Sequence, residues 1–252
     1  MTIDSLVYEA LNDFATEVIP PKPIAHGTPL RYSSAGACSR QLGYQAMKVE
    51  PTNPMDIGGR WVTNIGTHLH ELIQERVQKL APDAVMEASS QVSVWSGSAD
   101  VDYGDVVDEF KTVGAYKKEK LFGINPYGKV VAQGEPPRGN VLQLGLNMRG
   151  LGRERGNLIY LANEPYSLNV AAKLGLSPTE RLVKIFPIYA DVIERAVDEE
   201  ITRGDLIVEM VENDVLPDRL YVDDDGNTQV LTTNETFPCG YCSMRDRCVA
   251  DG

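Results

Sequence analysis

Thiols are scarce in this chain: four cysteines in 252 residues, beside three histidines and two tryptophans. So few cysteines exclude the disulfide framework on which small secreted domains depend, and a chain this long can bury a core without one. Long apolar runs are missing as well. No stretch approaches the roughly 20 apolar residues that a membrane helix needs. The opening MTIDSLVYEALNDF has no basic segment leading into an apolar one, so no secretory signal is expected. The expected compartment is the cytosol, without a membrane partner, where grouped cysteines point to a metal before a disulfide. Cations are also outnumbered, 24 Lys and Arg against 36 Asp and Glu, for a net charge of −12. That balance argues against a protein that coats nucleic acid with basic surface. The acid is concentrated in 190–226, however, and Lys117, Lys118, Lys120, Lys129, Arg138 and Arg149 lie before it, which leaves room for a local cationic groove.

What is present alternates between two periodicities. An amphipathic helix is expected from Asp4 to about Thr16, and a short helix around Cys38. NIGTHLHELIQERVQKLAP repeats Leu69, Leu72, Ile73, Val77 and Leu80 at helical spacing, with Pro82 as its stop. Three strands follow, AVMEASSQVSVW, SADVDYG and DVVDEFKTV, the last two joined by a tight turn at Tyr103-Gly104. GAYKKEKLFG and NVLQLGLNMRGLG read as helices around a Gly/Pro-rich loop. GNLIYLANEPYSLNVAA and RLVKIFPIY carry strand signals, and an acidic helix runs from about Ala190 to Glu212. No internal repeat is present. The order implies an α/β domain with a mixed sheet. It divides into a helical N-terminal part over 1–60, a core over 61–190, and the acidic helix with a cysteine element over 191–252.

The middle strands carry the chemistry. Alternation puts Glu109 and Lys111 on one face, with Asp108 and Phe110 on the other. A turn at Tyr103-Gly104 brings Asp100 beside Glu109, so two carboxylates and an ammonium converge. Hard oxygen ligands of this kind suit Mg²⁺ or Mn²⁺, ions that assist phosphodiester hydrolysis. The lysine is placed to position or help deprotonate the attacking water. His70, on the preceding helix, offers a further ligand more compatible with Mn²⁺. A solvated hairpin with a surface Glu–Lys pair is the plainer alternative, and His68 receives no role.

In order and spacing, GTHLH (66–70), GSAD (97–100) and VVDEFKT (106–112) resemble the RecB-like branch of the PD-(D/E)XK nucleases. The resemblance implies a restriction-endonuclease-like core, with His70, Asp100, Glu109 and the carbonyl of Phe110 as metal ligands and Lys111 as the catalytic lysine. The family's next motif, Q-x-x-x-Y, is met by Gln143, but Asn147 stands where the tyrosine is expected. One branch of the family, which includes the CRISPR-associated and AddB-type recombination nucleases, holds a four-iron, four-sulfur (4Fe-4S) cluster on one upstream and three downstream cysteines. Cys38 in CSRQLGY and the C-terminal Cys239, Cys242 and Cys248 resemble that set. Four thiolates equally suit tetrahedral zinc, although zinc sites more often pair two C-x-x-C knuckles. Either centre ties the chain ends together across a long loop.

The implied activity is that of a metal-dependent DNA exonuclease on single strands or DNA ends. Arg40, Tyr44, Gln143 and Arg149 are candidate strand contacts. A recombination or CRISPR-type protein partner, or a second copy of the chain, is a further expectation from the resemblance. The competing reading is a non-catalytic nucleic-acid-binding or assembly subunit with the same fold, and a third is a subunit that trims ends within a larger complex.

Overall fold

The computed structural model describes residues 13–14, 28–53, 55–231 and 238–251. Most of the helix expected from Asp4 to Thr16 lies outside them. Within them a mixed sheet is flanked by helices. Strand β1 (Leu30–Arg31) leads through a 3-10 turn to α1 (Ser39–Ala46) and the long α2 (Ile57–Leu80). Then come β2 (Val85–Val92), β3 (Trp95–Asp102), β4 (Val106–Val113), α3 (Ala115–Phe122), α4 (Arg138–Leu151) and β5 (Arg155–Ala162). The chain continues through α5 (Leu168–Leu174), β6 (Val183–Tyr189) and α6 (Ala190–Glu212). A small hairpin, β7 (Leu220–Val222) with β8 (Thr228–Val230), precedes α7 (Arg245–Ala250). No helix among the described residues is long and apolar enough to cross a membrane.

Local chemistry accounts for most boundaries. Asp56 caps α2, its carboxylate accepting the Gly59 N–H at 2.7 Å. That cap starts the helix well before the Asn64 at which the expected periodic pattern begins. The single strand expected across AVMEASSQVSVW is two strands, because Ser93 turns the chain at φ 50° and hands Trp95 to β3. The turn expected at Tyr103-Gly104 is there: Gly104 takes φ 93° and the Tyr103 N–H reaches the Val106 carbonyl at 2.9 Å. SLNVAA, read as the tail of a strand, is instead α5, opened by the Ser167 side chain accepting from the Val170 N–H.

Two layers of helix bury the two faces of the sheet. On one face α2 packs Leu69, Ile73 and Val77 against Val101, Phe110 and Leu161. On the other, Leu144 and Met148 of α4 meet Val107, Leu158 and Tyr160. A third cluster joins α1, α4 and α6 around Trp95, Leu142 and Val197. There α6 passes so close to the sheet that a Cβ on Gly204 would lie 2.1 Å from the indole nitrogen of Trp95.

The sheet order is β1-β3-β4-β5-β6, with β2 along the other edge of β3. One edge of β3 is shared by two strands. β1 runs parallel to it at Trp95 and Ser96, while β4 pairs antiparallel at Val101 and Asp102. Between those contacts the residues 97–100 have no ladder partner on that side. The sheet therefore opens a notch at Asp100 and Glu109, where β3 and β4 part.

Candidate active site

The notch is the floor of a cavity of about 660 Å³, lined among others by Arg31, Thr67, His70, Glu87, Asp100, Glu109 and Gln143. The register that pairs Val101 with Asp108 makes Asp100 and Glu109 the next opposed pair, beyond the last ladder contact. In place of a ladder bond, the Phe110 N–H donates to Asp100 Oδ2 at 2.6 Å. The other oxygen, Oδ1, faces His70 Nδ1 at 3.6 Å, the imidazole arriving from α2. The His70 ring also meets Phe110 edge-on, with centroids 6.0 Å apart.

Glu109 is approached from the opposite side. Its Oε1 accepts from Lys111 Nζ at 2.9 Å, and Gln143 of α4 bonds both groups, accepting from Lys111 at 2.9 Å and donating to Glu109. Its Oε2 accepts from Asn147 Nδ2 at 3.1 Å, and the same amide reaches the Ser98 carbonyl at 3.3 Å. Gln143 and Asn147 stand one helical turn apart, so one face of α4 addresses the acid twice. Burial raises the Glu109 carboxyl well above the ordinary range; the Lys111 ammonium works against that and the charge of Asp100 adds to it. Asp108 points to the other face, as alternation requires, and accepts from Asn157 Nδ2 at 2.8 Å.

Imidazole, two carboxylates and the adjoining main chain face a polar cavity, a donor set whose chemistry suits a hard divalent cation. Among the described residues, however, no three His, Cys, Asp or Glu side chains are already drawn together into a ready ligand set. At the notch the two oxygens of Glu109 are turned toward Lys111, Gln143 and Asn147. A cation entering beside Asp100 has to compete for one of them.

The four cysteines line a second, separate cavity with Arg40, Tyr44, Arg219 and Arg245, and none is in a disulfide. Cys38 comes from the start of α1; the other three come from the C-terminal segment, where Asn53 and Ser243 pin it to the loop before α2. Burial raises the thiols of Cys38, Cys239 and Cys242. The all-thiol donor set suits a soft metal centre. The buried Nε of Arg219 has no hydrogen-bond partner, and its Nη2 donates to the Cys248 carbonyl at 2.7 Å. A guanidinium N–H left free in a thiol-lined cavity fits a sulfur-rich, anionic occupant.

The expected strand contacts fall in different places. Gln143 lies in the acidic cavity. Arg40 is buried beside the thiols, donating to the Pro217 carbonyl at 2.9 Å. Tyr44 is 1% exposed and its hydroxyl bonds Asp251 at 2.9 Å, so its ring offers no face for a base to stack on. Arg149 points away from the notch and pairs with Asp198 of α6 at 2.8 Å. Glu87, Gln74 and Ser98 were missed by sequence reasoning, since nothing in a half-polar strand or a helix flank marks them; the β2–β3 register sets Glu87 against Asp100, and the packing of α2 brings Gln74 to its carbonyl.

No family model matches the chain, and no curated protein matches it. Among solved structures, the chain is similar to SSO0001 at 18% identity, over 84% of this chain and 87% of that one, with a TM-score of 0.47. It is similar to the alkaline exonuclease LHK-Exo of Laribacter hongkongensis, in its complex with dAMP, at 14% identity over 73% and 90% of the two chains, with a TM-score of 0.49. It is also similar to a phage-related exonuclease from Haemophilus somnus at 10% identity, over 81% and 93%, with a TM-score of 0.48.

Proposed function

We propose that this chain is a metal-dependent deoxyribonuclease of the RecB-like PD-(D/E)XK type, acting as an exonuclease on single strands or DNA ends. The observation that carries this reading is the notch between β3 and β4. There His70, Asp100 and Glu109 line one polar cavity, with Lys111 bonded to Glu109, although the four lie on three different elements.

In this reading His70, Asp100, Glu109 and the Phe110 carbonyl hold Mg²⁺ or Mn²⁺. The bound cation supplies stabilisation of the charge that builds on the phosphate and lowers the pKa of the attacking water. Lys111 orients that water by donating a hydrogen bond to its oxygen and steadies the negative charge that builds as it attacks, and Gln143 keeps the ammonium from swinging away. Asn147 holds the second oxygen of Glu109, so the departure from the family's tyrosine changes the side chain while a polar contact to the site is kept. Gln143, at the rim, is also the best placed of the expected strand contacts. Cys38, Cys239, Cys242 and Cys248 hold a 4Fe-4S cluster that clamps the C-terminal element to α1. Arg40 and Tyr44 belong to that clamp. The chain works as one nuclease domain in the cytosol, alone or within a recombination or CRISPR-type assembly.

The test is incubation of end-labelled single-stranded and duplex DNA with Mn²⁺, comparing wild type with Lys111→Ala. Progressive shortening by the wild type and none by the variant is expected. Binding without any cleavage by the wild type would return the protein to the class of non-catalytic binding subunits.

A further inference from the structure

Glu87 belongs to none of the motifs discussed so far, yet three observations tie it to the notch. It stands on β2, where the register that pairs Met86 with Val101 and Ala88 with Ala99 sets it opposite Asp100. Its side chain lines the same cavity as Asp100 and Glu109. Its backbone sits at φ 51°, in the left-handed region that a non-glycine residue rarely adopts, in the middle of a strand. Strain of this kind persists only where the surroundings over-determine it.

The surroundings do so here. Glu87 Oε1 accepts from Gln74 Nε2 at 2.8 Å, and Oε2 accepts from Ser98 Oγ at 2.8 Å. Gln74, buried on α2, also donates from Nε2 to the main-chain carbonyl of Asp100 at 3.0 Å. One amide thus links the Glu87 carboxylate to the backbone of Asp100. Ser98 extends the link, since its carbonyl accepts from Asn147, which in turn holds Glu109. Glu87 is therefore connected to Asp100 through two hydrogen bonds and to Glu109 through three.

We propose that Glu87 is a positioning residue of the cation site. It locks the Asp100 main chain through Gln74 and adds a third negative charge to the cavity wall, which raises affinity for a divalent cation. The inference rests on the nuclease reading of the notch. A purely structural carboxylate would need only its hydrogen bonds. A positioning one needs its charge as well, and the two are separable because glutamine keeps the shape and an acceptor oxygen while losing the charge.

The experiment measures Mn²⁺ binding directly, by electron paramagnetic resonance of free Mn²⁺, together with thermal unfolding in EDTA and in Mn²⁺. Three proteins are compared: wild type, Glu87→Gln and Glu87→Gly. Partners that orient metal ligands typically contribute 10–100-fold to affinity, so Glu87→Gln is expected to bind Mn²⁺ about tenfold or more weakly. In EDTA the same variant is expected to melt no lower than wild type, because the amide that replaces the carboxylate keeps an acceptor for Gln74, can donate to the Ser98 hydroxyl, and leaves one negative charge fewer on the cavity wall. Glu87→Gly accepts the left-handed backbone without strain and is expected to lose Mn²⁺ affinity at least as much while remaining folded. Mn²⁺ affinity unchanged in Glu87→Gln, or a variant that melts lower in EDTA with its affinity intact, overturns the positioning role and leaves the nuclease reading standing. A wild type that binds no Mn²⁺ removes both.

Discussion

Replacing Lys111 with methionine removes one ammonium from the notch and keeps most of the stem that carries it. The Nζ lies 2.9 Å from Glu109 Oε1, with side-chain exposures of 22% and 4%. Unit charges at that distance attract by about 6 kcal/mol at an effective dielectric of about 20. Most of this offsets the desolvation both groups suffer on folding. Burial already raises the Glu109 carboxyl, and Lys111 is the strongest influence holding it down. Without the ammonium, the acid meets its burial by taking up a proton. The folded variant then keeps a proton that the unfolded chain releases above about pH 4.3. A raised folded-state pKa contributes stability that is complete below the unfolded pKa and is lost as pH rises through the folded one.

The deficit of Lys111→Met against wild type should therefore grow with pH. At pH 6, with Glu109 neutral, the loss is that of an imperfectly satisfied buried group, about 1–3 kcal/mol. At pH 9 the carboxylate has to ionise unpaired, and the loss rises toward about 3–5 kcal/mol. Urea unfolding at the two pH values reads this difference. Cleavage of end-labelled single-stranded DNA in Mn²⁺ should fall by about 10²–10⁴-fold, the usual contribution of a positioned proton-transfer group. A deficit that is flat with pH, or cleavage that survives, would refute the account of the Glu109–Lys111 pair.

Four further outcomes follow from the packing and the thiols. Gly204→Ala drives a methyl to 2.1 Å from the Trp95 indole nitrogen, so α6 has to shift; a loss of about 1–3 kcal/mol or more is expected in denaturant melts. Arg203→Ala strips the cationic partner from Glu200, which is 3% exposed, bonded to that guanidinium at 2.6 Å and otherwise held by the Gly36 N–H at 2.9 Å; about 3–5 kcal/mol should be lost, and an unchanged midpoint would show that the Gly36 N–H suffices. Protein purified without oxygen should be brown with about four irons per chain. Cys248→Ala should lower iron content and melting temperature together, because metal binding is linked to folding; a colourless wild type with one zinc would replace the cluster with a zinc centre.

The strands around Asp100 and Glu109, the Tyr103-Gly104 turn and the acidic helix Ala190–Glu212 were legible because period and turn chemistry are local properties. The start of α2 at Ile57 was not, since Asp56 acts as a cap only when the chain already turns there. Tyr44 and Arg40 looked like ligand contacts for the opposite reason. Their side chains are typical of nucleic-acid surfaces, and only packing shows that Tyr44 is buried against Asp251 and Arg40 against Pro217. Glu87 carried no sequence signal; its place follows from pairing with a strand ten residues further on.

The amino-acid sequence by itself determined the alternation of helix and strand, the face shared by Glu109 and Lys111, and the four thiols at opposite ends of the chain. These depend on backbone period and residue type, which are written residue by residue. Tertiary structure alone decided that β3 and β4 separate at Asp100, that α2 and α4 deliver His70, Gln143 and Asn147 into that gap, and that the distant cysteines line one cavity. Each of these joins groups far apart along the chain, and their distance is set by how whole elements pack against one another.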